Sequence, residues 1–385
     1  MRFPGFEGEW EKHTLGELGE PYIGLTYSPA DVVQQGGIIV FRSSNIQNGE
    51  IDYSDIVRVE KIIKDSIRTR KDDLLICARN GSPRLIGKNA LLGENEASQT
   101  FGAFMLVFRS DDNHFIHQLL STKSYYSQVN ENLGARINQI TTANIKDYEF
   151  SIPRTKVERD KIASFLDLID KRISIQNKVI RKYESLIRAI ILISQSFASN
   201  RKVYLREILT ERKELNEHGY DICSVSVSKG VVNQVEYLGR SFAAKETAHY
   251  HVVHKGDIVY TKSPTGEFPY GIVKQSYLDV PVAVSPLYGV YEPIDYLTGV
   301  YLHHFFCSPQ NAKNYLHKLI QKGAKNTINI TNQHFLDNHI SIPESDALRK
   351  NVALIEMLST KLDMEKELLY VYLKQKTFFL SSLFI

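Results

Sequence analysis

The sequence predicts an α+β protein: two mixed α/β domains separated by two long helices, with the second half of the chain repeating the plan of the first. Three observations carry this. Residues 153–200 hold an apolar heptad pattern with no Pro or Gly after Pro153, residues 344–385 hold a second one, and short motifs around both recur at a constant offset. The expected division is 1–152 for the first domain, 153–200 for the first long helix, 201–343 for the second domain and 344–385 for the second helix.

The first helix is read from Ile162, Leu166, Ile169, Ile173, Ile180, Tyr183, Ile187, Ile190 and Phe197, with Gln176 and Ser194 in the two polar slots. Steps of four and three alternate over about five heptads, the signature of a helix that packs on another helix. At ~1.5 Å per residue such a rod is about 60 Å long. That exceeds one small domain, so it needs a partner rod. Ile355, Leu358, Leu362, Leu369, Tyr372, Phe379 and Leu383 supply one, with Glu365 and Lys376 in the weak slots. Both helices are entered alike, through Ile152-Pro153 and Ile342-Pro343. Pro suits a helix start and bars extension backwards. One long amphipathic helix is an ordinary packing element; two placed alike in two halves point to a pair.

The repeat is visible at an offset of 190 residues, as from Leu15 to Leu205. Glu17 and Leu18 answer to Glu207 and Ile208, Ile140-Thr141 to Ile330-Thr331, and Asp147 to Asp337. Lys71-Asp72-Asp73-Leu74 resembles Lys255-Gly256-Asp257-Ile258, and Ser82-Pro83 resembles Ser263-Pro264, at slightly smaller offsets. One plan therefore carries two different inserts. In the first, Ile38–Phe41, Leu74–Cys77 and Phe104–Phe108 read as strands, Asn48-Gly49 and Asn80-Gly81 as turns, and His114–Val129 as a helix. In the second, Ile258–Thr261 and Val282–Val284 read as strands, and Leu297–Phe306 and Asn311–Ile320 as helices.

Composition excludes several classes. Charge is nearly balanced, 47 basic residues against 44 acidic, so any surface for nucleic acid must be a local patch. Cys77, Cys223 and Cys307 make no CxxC pair and no disulfide framework, which fits a reducing cytoplasm. Met1-Arg2-Phe3-Pro4-Gly5 has no apolar signal region, and the apolar run Ala189–Ile193 is too short to span a membrane.

Catalytic signatures are missing. Gly81 to Lys88 has five residues between its glycines where a phosphate loop has four, and Asn89 stands where Ser or Thr would hold magnesium. His249, His251 and His254 lie close together without an HExxH motif or a Cys partner, so they read as solvated or packed rather than metal-bound. There is no GxSxG elbow, no GxGxxG and no Asn-Pro-Pro-aromatic loop. A chain of this length without a catalytic constellation reads as a binding or scaffolding protein.

Nucleic-acid contacts are sought among Arg, Lys, Asn, Ser and Thr on loops. In the first insert Arg68, Arg70, Lys71, Arg79, Arg84 and Lys88 cluster, with Asn80 and Ser82 interleaved and Arg136 and Asn138 further on. The Arg79–Arg84 turn is the leading element, shaped by Gly81 and Pro83. In the second insert the candidates are Lys229, Lys262, Lys274, Lys322 and Lys325, with Ser226, Ser263, Thr265 and Asn326 as polar readers.

These motifs resemble a family. Phe3-Pro-Gly-Phe6, Gly8-Glu-Trp10 and Leu15-Gly-Glu-Leu18 look like the start of a type I restriction–modification specificity subunit. Ile137-Asn-Gln-Ile-Thr141, Ile152-Pro153 with Glu158-Arg159, the long helix with Asp170, Gly256-Asp257-Ile258 and Asn326-Thr-Ile-Asn-Ile-Thr331 resemble the same family, in order along the chain. One departure is Ala347-Leu348-Arg349, where the first half has Val157-Glu158-Arg159. The resemblance implies two target-recognition domains, each reading one half of a bipartite asymmetric DNA site, and an antiparallel coiled coil that spaces them in a pseudo-two-fold arrangement. It implies two methyltransferase subunits and two restriction/translocase subunits as partners. It places S-adenosylmethionine, ATP and magnesium in those partners, with no catalysis, cofactor or metal in this chain. A rigid spacer between two readers predicts contact at sites about one DNA turn apart, roughly 34 Å. Two other readings stand beside it: a coiled-coil adaptor that joins proteins without binding DNA, and an enzyme with a concealed site such as a nuclease.

Overall fold

The computed structural model describes residues 2–133, 138–238, 246–322 and 328–384. The protein is α+β, and its chain divides into two compact units: Met1–Asn177 together with Leu368–Ile385, and Lys178–Glu367.

Unit 1 opens with strand β1 (Glu11–Thr14), helical turn α1 (Leu15–Leu18) and strand β2 (Glu20–Ile23). Strands β3 (Leu74–Cys77), β4 (Asn89–Leu91) and β5 (Met105–Arg109) complete an antiparallel sheet of order β2-β5-β3-β4. All four residues of β3 are buried, and side chains alternate between its faces. Leu75, Cys77, Ala90 and Val107 pack with Ile39 and Phe41 of a second small sheet. Leu74, Ile76, Leu106 and Phe108 join the other core, made by the helices that follow.

Those helices are α2 (Asn113–Leu119), α3 (Lys123–Asn132) and α4 (Thr142–Asp147). The sequence reads α2 and α3 as one helix, but the chain breaks at Ser121-Thr122. Thr122 Oγ1 accepts the Tyr125 amide at 3.3 Å, and the Thr122 amide closes on the Leu119 carbonyl at 3.1 Å. Thr is a favoured N-cap, and here that local bond outweighs continuing the helix. Strand β6 (Glu149–Ile152) then pairs with β1, Glu11 opposite Ile152. Helix α5 (Lys156–Ser194) follows.

Unit 2 repeats this order. Strand β7 (Arg201–Tyr204) precedes β8 (Leu209–Glu211), β9 (Ile258–Thr261), β10 (Ile272–Gln275) and β11 (Gly289–Pro293), which form an antiparallel sheet β8-β11-β9-β10. Helices α6 (Tyr296–Phe306), α7 (Pro309–His317) and α8 (Asn332–Phe335) come next. Strand β12 (His339–Ile342) pairs with β7, Arg201 opposite Ile342, and helix α9 (Ser345–Leu383) closes the chain. Phe335 of α8 is fully buried between Tyr260 and Tyr291, with ring centroids at 4.7 and 4.9 Å.

The recurring Asp73 and Asp257 have the same role in each unit. Asp73 accepts the Arg70 amide at 2.9 Å and both arms of Arg109, at 2.9 and 3.1 Å. Asp257 accepts the His254 amide at 2.8 Å and both arms of Arg212, at 2.7 and 3.0 Å. The turn before each strand needs a left-handed residue, Asp72 (φ 64°) in one and Gly256 (φ 94°) in the other. Only Gly takes that conformation without cost, and Asp is among the residues that tolerate it. This explains why the motif reads Asp-Asp in one half and Gly-Asp in the other.

Along α5, Ile162, Leu166, Ile169, Ile173, Ile180 and Ile187 are buried. At the C-terminal end the buried residue is Ile191, not Ile190, which is half-buried. A straight helix drifts about 20° per heptad against a strict seven-residue repeat, and the stripe moves on by one position. Ile355, Leu358 and Leu362 of α9 are buried, whereas Leu369 and Phe379 are half-buried. Within unit 1 the helix stretches touch through Phe165 and Phe379 (4.8 Å, edge-on) and through Asp170 Oδ1 and Lys376 Nζ (2.5 Å), so they run antiparallel there. The N-terminal segment packs beside them. Arg2 grips Glu158 with two bonds of 2.7 Å, and Phe3 meets Phe165 edge-on.

A polar chain fastens α2 to α5. His114 Nδ1 lies 2.9 Å from Asp167, and Gln118 donates at 2.8 Å to both Asp167 and Asp170. The hydrogen bond to Asp167 raises the His114 pKa, opposed by burial and aided by the Asp72 charge. A raised histidine contributes stability below the unfolded value near 6.5 and loses it as pH climbs through the folded value. Asp167, held below the usual carboxylate range, acts oppositely: its share is lost only in acid. The His114 ring is half exposed, so the gain is about 0.5 kcal/mol. Urea midpoints for unit 1 are therefore slightly higher at pH 6 than at pH 8. In His114→Asn that difference vanishes, and its persistence would remove His114 from the pair.

Candidate nucleic-acid interface

The same topological place in each unit, the connection between the last two sheet strands in order, carries the exposed polar residues. In unit 1 this is the β3–β4 loop, residues 78–88. Its backbone is tied down at several points. The Ala78 and Arg79 amides both donate to the Phe104 carbonyl at 3.0 Å, and Arg79 bridges to Gln139. Asn80 Nδ2 donates to Ser43 Oγ at 2.9 Å, Asn80 Oδ1 accepts the Ser82 amide at 3.0 Å, and Asn138 Nδ2 donates to the Gly81 carbonyl at 3.3 Å. Pro83–Leu85 forms a 3-10 turn whose exit is anchored by buried Ile86. At Gly87 (φ 82°) a Cβ would crowd Tyr125, whose hydroxyl donates to the Gly87 carbonyl at 3.1 Å.

This leaves Arg79, Ser82 and Arg84 exposed on a fixed frame. Neither arginine forms an ion pair among the described residues, whereas Arg42, Arg70 and Arg109 each hold an aspartate. The Arg79 guanidinium sits 5.0 Å over the ring of Phe104, which is itself exposed. Two of the sequence expectations change here. Gly81 has neither a left-handed φ nor a crowded Cβ position, so the turn is shaped by Asn80, Asn138, Ser43 and Pro83. Lys88 is half-buried, with its pKa lowered by burial, and turns toward Cys77 rather than joining the exposed arginines.

In unit 2 the matching β9–β10 loop spans residues 262–271. Ser263 and Thr265 are exposed; Thr265 and Phe268 exchange backbone bonds of 3.1 and 2.9 Å, and buried Phe268 anchors the turn. At Gly271 (φ 106°) a Cβ would strike the Thr261 carbonyl. Lys262 is half-buried, and burial lowers its pKa. Lys229 is exposed on a separate hairpin, 5.4 Å over the ring of Tyr237. Ser226 is buried, bonded to Tyr237 at 3.1 Å, so it faces inward rather than reading a ligand. Lys274 is a clear correction. It is 5% exposed, and its Nζ lies 3.1 Å from Cys307 Sγ, so it cannot meet DNA. Arg136, Lys325 and Asn326 lie outside the described residues, and Lys322 is placed by its backbone alone, in the short strand Gln321–Lys322.

Sequence reasoning missed Ser43, Gln139 and Phe104. The first two lie far along the chain from the loop they support and carry no local signal. Phe104 was legible as part of an apolar run, but strand β5 begins one residue later, at Met105, and leaves its ring in solvent. The three neighbouring histidines are accounted for by ordinary contacts: His254 bonds to Glu214 at 2.7 Å, His251 to the Tyr288 carbonyl at 3.2 Å, and His249 meets the Tyr250 ring edge-on at 5.2 Å. Among the described residues no cluster could hold a metal ion, and no helix is long and apolar enough to cross a membrane.

Residues 7–184 match the type I restriction modification DNA specificity domain. The chain's relatives are specificity subunits. Over 158 residues it is 28% identical to the type I restriction enzyme EcoKI specificity subunit of Escherichia coli K12, and 27% identical to the StySPI specificity subunit of Salmonella potsdam. Each match spans 38% of this chain and 34% of the relative, about a third of its length. Across the whole chain the fold is shared with the crystal structure of a type I restriction–modification S subunit from M. genitalium, at 16% identity, TM-score 0.58, and coverage of 100% of this chain and 99% of that one. These matches do not favour an adaptor that never meets DNA.

Proposed function

We propose that this chain is the DNA specificity subunit of a type I restriction–modification complex. Unit 1 reads one half of a bipartite asymmetric site with the Arg79–Arg84 loop, and unit 2 reads the other half with the Lys262–Thr265 loop and Lys229. The observation that carries this is the unit 1 loop: two arginines that form no ion pair among the described residues, exposed on a backbone held at both ends, in a stretch that matches the specificity domain. Arginine holds phosphate and can bond guanine with both arms, and it does so best when its loop is already ordered. The long helices act as an antiparallel coiled-coil spacer that relates the two halves by a pseudo-two-fold.

Apolar side chains left exposed on these helices support docking of methyltransferase subunits. They are Leu168 and Ile175 on α5 in unit 1, and Leu354, Met357 and Met364 on α9 in unit 2. Two methyltransferase and two restriction/translocase subunits complete the assembly and bring S-adenosylmethionine, ATP and magnesium, so this chain performs recognition without catalysis.

The test is Arg84→Ala in the chain assembled with its partners. Affinity for methylatable DNA falls, and the slope of log affinity against log salt flattens by about one. An unchanged slope takes Arg84 off the phosphate contacts.

A further inference from the structure

Lys274 and Cys307 form a pair that DNA recognition does not use. Lys274 lies on β10, where all four residues are buried, and Cys307 caps the C-terminus of α6. A buried ammonium is costly without a carboxylate, yet among the described residues Lys274 forms no ion pair. Its Nζ donates to Cys307 Sγ at 3.1 Å. Burial pushes both His303 and His304 nearby down to about 3, with Lys274 adding to the effect. The α6 C-terminus favours the positive charge, but a thiol is a weak acceptor for it. In unit 1 the same sheet position, opposite Leu75 as Lys274 is opposite Val259, is Ala90, which packs in an apolar cluster. The fold therefore does not require a lysine there. Cys307 is only half-buried, unlike Cys77 and Cys223.

We propose that Lys274 and Cys307 are a modification site, where peroxide oxidation of the thiol is captured by the amine as a covalent Nζ–Sγ bond. In the first step the thiol is oxidised and hydrogen peroxide reduced: Cys–SH and H2O2 give Cys–SOH and water. In the second the amine nitrogen attacks sulfur: Lys–NH3+ and Cys–SOH give Lys–NH–S–Cys, one water and one proton. A sulfenic acid condenses with a backbone nitrogen to a sulfenamide, and an amine, the stronger nucleophile, held 3.1 Å from the sulfur needs little movement to do the same. The bond staples β10 to the end of α6 and is opened by thiol reductants. It is independent of the proposed DNA reading.

The experiment treats the full chain with hydrogen peroxide, blocks free thiols, digests with trypsin and maps peptides by mass. The expected product joins the Lys274 and Cys307 peptides with loss of two hydrogens, about 2 Da below their sum. Trypsin fails to cut after Lys274, and dithiothreitol releases the pair. The product is absent from Cys307→Ser and from Lys274→Arg, which keeps the cation but lacks the amine. Oxidation of Cys307 to sulfinic acid without a linked peptide overturns the proposal. So does a linked pair that retains one oxygen, since the direct N–S bond is then wrong. Mapping of the unsubstituted protein decides between these outcomes even if a variant fails to fold.

Discussion

Adding one heptad to α5 and one to the facing stretch of α9 lengthens the unspecified gap in the recognised DNA by about three base pairs. Seven residues at ~1.5 Å add about 10 Å to a helical spacer, and DNA rises about 3.4 Å per base pair along its axis. Both helices must be extended together. An insertion in one alone shifts its stripe against the other and separates Phe165 from Phe379 and Asp170 from Lys376. The half-site sequences stay as they were, because neither candidate loop is changed. Mapping methylated bases in a genome modified by the assembled complex measures both quantities. A gap that keeps its length would show that the helices do not set the distance.

Asp73→Ala unfolds unit 1 far more readily than any surface change. Asp73 is nearly fully buried, and Arg109 beside it is mostly so. The same guanidinium also donates to the Ser66 carbonyl at 2.8 Å and lies 4.5 Å over the ring of Tyr22. Removing the carboxylate leaves a buried charge uncompensated, at a cost of about 3–5 kcal/mol. That is a large fraction of a typical domain's total of about 5–15 kcal/mol. The urea midpoint drops by at least about 1 M for a slope of 1–3 kcal/mol per molar. Replacing both partners with apolar residues, Asp73→Leu with Arg109→Met, recovers most of the loss, because no stranded charge remains. A small change in Asp73→Ala would mean that water reaches Arg109 in the folded protein.

Much of the α+β fold was legible because its strongest signals are periodic. The four-three rhythm of α5 could be read without knowing its partner, and Leu74-Leu75-Ile76-Cys77 could hardly be anything but a covered strand. Local competition misled the reading at Ser121-Thr122, where a side-chain cap ends α2, and at Ile190, where the straight helix runs ahead of the heptad. The candidate site was less legible. A lysine in the sequence does not say which side of a sheet it lies on, so Lys274 looked like a surface cation until α6 closed over it. Lys88 misled in the same way. The arginines of the unit 1 loop were recognisable from type and spacing, but the bonds that make the loop rigid come from Ser43 and Asn138, which only folding brings near.

Segments far apart in the sequence meet within unit 1. Trp10 touches Phe384 with ring centroids 6.3 Å apart, and both sit against the cluster that contains Phe115 and Leu383. Unit 1 is thus assembled from two stretches, 1–177 and 368–385, with all of unit 2 between them in the chain. Its core closes only after unit 2 has been made, so a truncation before Leu368 takes Phe379 and Leu383 out of unit 1 and strips Phe165 of its edge-on partner.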